Sequence, residues 1–217
     1  MPLNGNFPSL YPILDSGFLA GADDRPGLLR RIVRELAEAG VRLLQYRNKS
    51  GNEAEILSDA HAIRAAAASG MLLILNDWPK LLAATRFDGV HIGQTDMSPA
   101  EARAILGPEK ILGLSTHNEP QLQSANAEPV DYIAIGPVCA TSTKENPDPV
   151  VGLEGVRLAR KLTPKPLVAI GGITLENAAQ IRAAGADSVA VISAIFSPKG
   201  NFAEIAADFL RAIHSYD

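Results

Sequence analysis

The chain has 217 residues, 47% apolar and 20% charged, an ordinary globular composition with enough apolar material for one sizeable core. Its formal net charge of −4 argues against nucleic-acid binding by bulk charge but allows a local cationic pocket. A lone cysteine, Cys139, excludes an internal disulfide framework and a zinc ribbon.

The N-terminal stretch lacks a basic leader and is broken by Pro2, Pro8 and Pro12, so it does not read as a signal peptide. No apolar run approaches the roughly 18 residues of a membrane span. The expectation is a cytoplasmic protein with no membrane or nucleic-acid partner. One domain is expected over 1–217, with a short extension over about residues 1–9. Homo-oligomerisation is left open.

Short apolar runs follow one another along the chain: Leu10–Leu14, Val41–Tyr46, Leu72–Leu75, Gly89–Gly93, Ile111–Ser115, Tyr132–Gly136, Leu167–Gly171 and Ser188–Ser193. They are rich in Ile, Val and Leu, and several do not alternate with polar residues. Strands of a parallel sheet covered on both faces read this way. Between them lie helical patterns. Leu28, Leu29, Ile32, Val33 and Leu36 form a stripe with Pro26 near its start and Gly40 past its end. Gly152–Leu162 and Asn177–Ala184 are similar. Phe202, Ile205, Ala206, Phe209, Leu210 and Ile213 keep the i, i+3, i+4, i+7 spacing. The connection at Trp78–Thr85 is short, and Asn118–Ala127 is weakly patterned. Eight βα units predict an α/β fold, a single (β/α)8 TIM barrel near the lower end of that fold's usual size, with a doubly wound sheet as the competing architecture. The βα alternation is the only repetition visible.

In such a barrel the active site lies at the carboxyl ends of the strands, so the polar residues there are the candidates. Strand 2 runs into Gln45, Tyr46, Arg47, Asn48 and Lys49. Strand 3 ends in Asn76 and Asp77, strand 4 in Gly93 to Asp96, and strand 5 in Ser115, Thr116 and His117. The loop after strand 6 carries Thr141, Ser142, Thr143 and Lys144. Gly171, Gly172, Ile192 and Ser193 follow strands 7 and 8, where backbone N–H groups of this fold commonly take a phosphate. A tight turn would equally account for the glycines. Asp77 and Asp96 on neighbouring strands, near Arg47, Lys49 and Lys144, suit a dianion sharing a site with Mg²⁺, although Asp is also a common helix cap. Arg47 and Lys49 would hold the outer phosphates. Asn76 would bond a heterocycle or a metal-bound water. Among the histidines, His91 reads as packed inside strand 4, His61 as lying on an outer helix and His214 as solvated. His117 is the one acid–base candidate. No base is placed for Cys139.

These motifs, in order on successive strand ends, closely resemble the thiamine phosphate synthase family over about Leu10 to Ile213. The motifs are Gln45-Tyr46-Arg47-Asn48-Lys49, Asn76-Asp77, Gly89 through Asp96, Gly113 through His117, Gly136-Pro137 through Thr141-Ser142-Thr143-Lys144, Ala169 through Ile173, and Val191 through Ile195. The resemblance implies a transferase. It would join 4-amino-2-methyl-5-(hydroxymethyl)pyrimidine diphosphate to 4-methyl-5-(2-phosphoethyl)thiazole, or its carboxylated form, giving thiamine monophosphate and diphosphate. It implies two phosphorylated small-molecule partners and Mg²⁺ on Asp77 and Asp96. It assigns Gln45, Tyr46, Arg47, Asn48, Lys49, Asn76, Ser115 and Lys144 to the pyrimidine diphosphate, with Arg47, Lys49 and Lys144 stabilising the leaving group. Thr141, Ser142, Thr143, Gly172, Ile192 and Ser193 fall to the thiazole phosphate. Two positions depart from the family's habit: Trp78 where a basic residue is frequent, and Asn48 where an acidic one is. A thiazole tautomerase using His117, and a non-catalytic thiazole-phosphate sensor, are the alternatives on the same barrel.

Overall fold

The computed structural model describes residues 7–140, 148–197 and 200–214. Eight parallel strands close on themselves in chain order: β1 (Leu10–Asp15), β2 (Leu43–Arg47), β3 (Leu72–Asn76), β4 (Gly89–Ile92), β5 (Ile111–Thr116), β6 (Tyr132–Ile135), β7 (Leu167–Ile170) and β8 (Ser188–Val191), with β8 paired to β1. The helices are α1 (Arg25–Glu38), α2 (Glu53–Ala66), α3 (Leu82–Thr85), α4 (Pro99–Leu106), α5 (Glu119–Ala127), α6 (Gly152–Leu162), α7 (Leu175–Ala183) and α8 (Phe202–His214). This is the (β/α)8 barrel. The doubly wound alternative is excluded by the β1–β8 pairing.

Local chemistry sets the helix starts. Asp24 accepts from Gly27 N–H at 2.8 Å with Pro26 in the first turn of α1. Ser98 and Glu101 form a reciprocal capping box on α4. Asn118 caps α5, which explains why so weakly patterned a segment is helical. The short third connection is a 3₁₀ turn over Pro79–Leu81 and the single-turn α3.

Two apolar layers follow from strand alternation. Leu10, Leu14, Leu44, Tyr46, Leu73 and Leu75 point outward, under the helices. Tyr11, Ile13, Leu43, Ile74, Tyr132, Ala134, Val168 and Ala190 point into the barrel. Phe7 plugs the lower end, its ring 5.0 Å from that of Tyr132 and 6.4 Å from that of Tyr11. Gly113 is small because Tyr132 crosses it: an added Cβ would stand 2.1 Å from the Tyr132 ring.

The amino-terminal face carries a second repetition that the βα pattern hides. Asp88, Asp131 and Asp187 each immediately precede an even-numbered strand. Their backbone N–H groups donate to Leu73, Leu112 and Leu167 carbonyls at 2.7–2.8 Å. Their carboxylates accept the N–H of those same leucines at 2.7–2.8 Å. Each carboxylate also takes an arginine from an even-numbered helix, Arg64, Arg103 or Arg160. One side chain thus ties two strands and a helix together. Asp131→Ala strands the Leu112 N–H, and Leu112 is fully buried, so it should lower the unfolding free energy by about 1–3 kcal/mol. Chemical denaturation measures this, and an unchanged midpoint would show the clamp to be inert.

Candidate active site

A cavity of about 500 Å³ opens at the carboxyl ends of the strands, within the roughly 300–1,000 Å³ usual for small-molecule sites. Its lining follows from the period of two along each strand. Gln45, Arg47 and Lys49 enter it, as do Asn76, His91 and Ser115. Ile13, Ala134, Val168, Ile170, Ala190 and Ile192 close it from β1 and β6–β8. The cavity therefore has one polar wall, from β2 to β5, and one apolar wall.

Tyr46 and Asn48 obey the same alternation and point the other way. Tyr46 is fully buried under α2 and donates to Asp59. Asn48 donates to Tyr46 Oη at 3.0 Å and to Glu55 at 2.7 Å. Arg25 completes the cluster with ion pairs to Asp59 and Glu55. Burial, reinforced by Asp59, raises the Tyr46 phenol well above its ordinary value. Of the residues assigned to the ligand by sequence, these two turn their side chains away from the cavity and brace the end of β2. Trp78 joins the brace through its indole N–H, 3.2 Å from the Asn48 carbonyl. The two departures from the family's habit are thus in contact.

The rim is charged. Arg47 pairs with Asp15, and Lys49 with Asp77. Asp77 takes φ +67°, a conformation unusual for a residue with a side chain, and its N–H is held by the His91 carbonyl at 2.8 Å. Its carboxyl lies beside that of Asp96. Burial, then Asp96, raise Asp77 against the pull of Lys49. Asp96 is also pushed up by burial but ends below its ordinary value, because Asp77, the Gly93 N–H at 2.7 Å and Lys49 favour its ionised form. Each carboxyl therefore biases the other, Asp77 towards its neutral form and Asp96 towards its ionised one. Among the described residues no group of three or more His, Cys, Asp or Glu is arranged to hold a metal. A pair of hard oxygen donors in contact nonetheless matches what Mg²⁺ takes from a protein when phosphate and water complete its shell.

Asn76 Nδ2 is buried and has no hydrogen-bond partner among the described residues, a donor positioned beside the polar wall. His117 lines the cavity with Nδ1 2.6 Å from the Gly136 carbonyl and 3.5 Å from Asp148. Gly171 and Gly172 both have positive φ, and a Cβ on either would strike the 137–140 segment at 2.4–2.7 Å. Close packing of the β6 and β7 loops thus demands both glycines. Gly171 and Ile192 line the cavity; Gly172 and the exposed Ser193 flank it. Thr141, Ser142, Thr143 and Lys144 lie outside the described residues. Cys139 has Asn177 Nδ2 at 3.6 Å and no base beside it among the described residues. His61 is exposed on α2, bonded to the Ala84 carbonyl, and the exposed His214 contacts Ser9.

Sequence reasoning missed Asp15, Tyr11 and Tyr132. The signal was present, since Tyr11 and Asp15 share the inward phase of Ile13, and Tyr132 shares that of Ala134.

Fold and cavity define the class: a parallel (β/α)8 barrel with its site on the carboxyl ends of the strands, where two basic side chains stand among carboxylates. Residues 10–195 match the family model for thiamine monophosphate synthase. A thiamine-phosphate synthase of Koribacter versatilis is 50% identical over 209 residues, 96% of this chain and 97% of its own. That of Chloroflexus aurantiacus is 38% identical over 207 residues, 95% and 92% of the two chains. The solved thiamine phosphate pyrophosphorylase of Pyrococcus furiosus has TM-score 0.78 at 26% identity, covering 95% of this chain and 96% of its own. The chain belongs to the thiamine monophosphate synthase family.

Two predictions follow from the site's surroundings. Tyr46→Phe should cost about 1 kcal/mol of stability for the lost bond to Asp59 and leave ligand affinity unchanged; calorimetric binding and denaturation separate the two, and a weakened affinity would return Tyr46 to the site. His91 is buried, which lowers its pKa from 6.5 to about 4 against the opposing effect of Asp96. Between those pH values the unfolded chain binds a proton that the folded one refuses, so acidification favours unfolding. The unfolding free energy of the wild type should fall as pH drops from 6.5 towards 4 more steeply than that of His91→Asn; equal slopes would contradict a buried neutral imidazole.

Proposed function

We propose that the chain is a thiamine-phosphate synthase that transfers the pyrimidinylmethyl group of 4-amino-2-methyl-5-(hydroxymethyl)pyrimidine diphosphate to 4-methyl-5-(2-phosphoethyl)thiazole, or its carboxylated form, releasing diphosphate. The observation that carries this reading is the divided cavity: polar side chains on one wall, aliphatic ones on the other, and a charged rim above both. A flat heterocycle with a polar edge and an attached diphosphate fits that division.

Arg47, the last residue of β2, and Lys49, two positions beyond it, bind the diphosphate oxygens. Each leaves a carboxylate, Asp15 or Asp77, to do so. The rim's described cations are thus matched by acidic groups, Asp15, Asp77 and Asp96, and a further positive charge is needed when the diphosphate arrives. Asp77 and Asp96 would hold Mg²⁺, which would neutralise charge on the departing diphosphate. Lys144 adds a third cation in this reading. Gln45, Asn76 and Ser115 bond the pyrimidine edge. Thr141, Ser142, Thr143, Gly172, Ile192 and Ser193 take the thiazole phosphate.

The carbon–oxygen bond to the diphosphate breaks, with its electron pair leaving on oxygen. The amino-pyrimidine ring stabilises the resulting methyl cation, and Arg47 and Lys49 stabilise the anion. The thiazole nitrogen then forms the carbon–nitrogen bond with its own lone pair. No proton has to be removed; with the carboxylated thiazole, the carboxylate leaves as CO₂ and a solvent proton takes its place on the ring. This agrees with a site where Cys139 has no base among the described residues and His117 is committed through Nδ1 to a backbone carbonyl. The acidic pair, with Lys49 beside it, has no task in an isomerase or a sensor. No helix of the described residues is long and apolar enough to cross a membrane, in keeping with water-soluble substrates.

The test supplies both substrates with and without Mg²⁺ and measures thiamine monophosphate. Product should form only with the divalent ion, and Asp96→Asn should reduce Mg²⁺-dependent turnover by roughly 100-fold or more, the usual order for loss of a group that stabilises the transition state. No product under any divalent metal would reject the synthase. Unchanged turnover and metal dependence in Asp96→Asn would reject the metal assignment.

A further inference from the structure

Beneath the charged rim, an unbroken line of hydrogen bonds crosses the barrel interior. Gln45 Nε2 donates to Tyr11 Oη at 2.8 Å. The Tyr11 and Tyr132 hydroxyls are 2.8 Å apart. Tyr132 Oη is 2.9 Å from His91 Nδ1. His91 Nε2 is 2.8 Å from Ser115 Oγ. The two ends, Gln45 and Ser115, line the cavity, as do Tyr11 and His91, whereas Tyr132 is fully buried and does not reach it.

Each inner member has one hydrogen to give. A phenol donates once, and a neutral imidazole donates from one nitrogen and accepts at the other. Tyr11 receives from Gln45, so its own hydrogen goes to Tyr132. Tyr132 then donates to His91 Nδ1. His91 carries its hydrogen on Nε2 and donates to Ser115. The Ser115 hydrogen is left for the cavity, while Gln45 offers its carbonyl oxygen. With every inner hydrogen kept within the line, the only other arrangement that leaves no two hydrogens or two lone pairs facing each other is the complete reverse. Buried polar groups left mismatched are costly, so the line switches as a whole or not at all.

We propose that Tyr11, Tyr132 and His91 are positioning residues that lock Gln45 and Ser115 into opposite polarities. The two ends of the line then offer a ligand one acceptor and one donor. An exocyclic amine beside a ring nitrogen is the chemical class this selects. That last step rests on the aminopyrimidine reading above; the coupling itself does not.

The coupling can be read without substrate. In Gln45→Glu, at a pH where the carbon-13 signal of the new carboxyl shows it ionised, burial raising its pKa above that of an ordinary carboxyl, the end group only accepts. The line must reverse, and the His91 hydrogen moves from Nε2 to Nδ1. Nitrogen-15 NMR of the His91 ring in the ligand-free protein should show the protonated and unprotonated nitrogen signals exchanging places. Adding Tyr132→Phe should abolish the exchange. An unchanged Nε2–H tautomer in folded Gln45→Glu would overturn the proposal. Should that variant not fold, Gln45→Met removes the donor without adding charge and should turn a single tautomer into a mixture; a single tautomer there would equally overturn it. With substrate, Tyr132→Phe should raise the KM for the pyrimidine diphosphate roughly tenfold with little change in kcat, the order expected for one lost buried hydrogen bond. An unchanged KM beside an intact tautomer switch would reject the aminopyrimidine reading and leave the coupling standing.

Discussion

Closure of eight parallel strands imposes a single rule on the molecule. Every second side chain must enter a narrow interior, and every other one must lie under a helix. Helix packing, the shape of the cavity and the rim chemistry all depend on that rule. A one-residue shift of β2 would put Tyr46 and Asn48 in the cavity and Gln45 and Arg47 beneath α2. The Tyr46–Asp59–Arg25 cluster opposes such a shift, because its polar groups are satisfied only with Tyr46 facing outward. The brace outside the barrel therefore helps decide which residues face the ligand inside it.

The interior is graded along the barrel axis. Phe7 and the rings of Tyr11 and Tyr132 form its apolar base. Above them runs the line of hydroxyls, imidazole and amide, and above that the ion-paired rim. Burial keeps the middle layer uncharged, raising Tyr11 and Tyr132 and lowering His91. Formal charge is confined to the mouth, where solvent and a phosphorylated ligand meet it. A net acidic chain thereby carries basic groups at the one place where anions would bind, each held by a carboxylate until a stronger partner arrives.

Much of this was legible in the sequence. Aliphatic runs of the right length and spacing gave the eight strands and their order, and residues at the run ends pointed to the cavity. Strand limits moved by one or two residues: β2 spans Leu43–Arg47 rather than Val41–Tyr46, and β8 ends at Val191 rather than Ser193. What a list of strand-end residues does not carry is phase. Gln45 through Lys49 form one contiguous motif, yet alternate members do opposite jobs. Pairings between distant segments were equally invisible, because Asp15 with Arg47 and Tyr11 with Tyr132 depend on barrel closure. Asp88, Asp131 and Asp187 share a local pattern, an apolar residue, then Asp, then Val or Ile two and four positions on; what that pattern does not carry is the neighbouring strand and the arginine that each carboxylate holds.

Those three aspartates also divide the ring into unequal parts. Each clamp joins an odd strand to the even strand after it, with a helix from the preceding unit: β3 with β4, β5 with β6, β7 with β8. β1 and β2 have no such clamp, since the residue two before β2 begins is Val41 and the next is Arg42, not aspartate. Three quarters of the barrel are thus built of locally fastened pairs. The remaining quarter closes the circle and carries Arg47 and Lys49. The pair of strands that leads to the basic residues of the mouth is thus the pair without an aspartate clamp at its lower end, and its register is held instead by the Tyr46–Asp59–Arg25 cluster at its upper end.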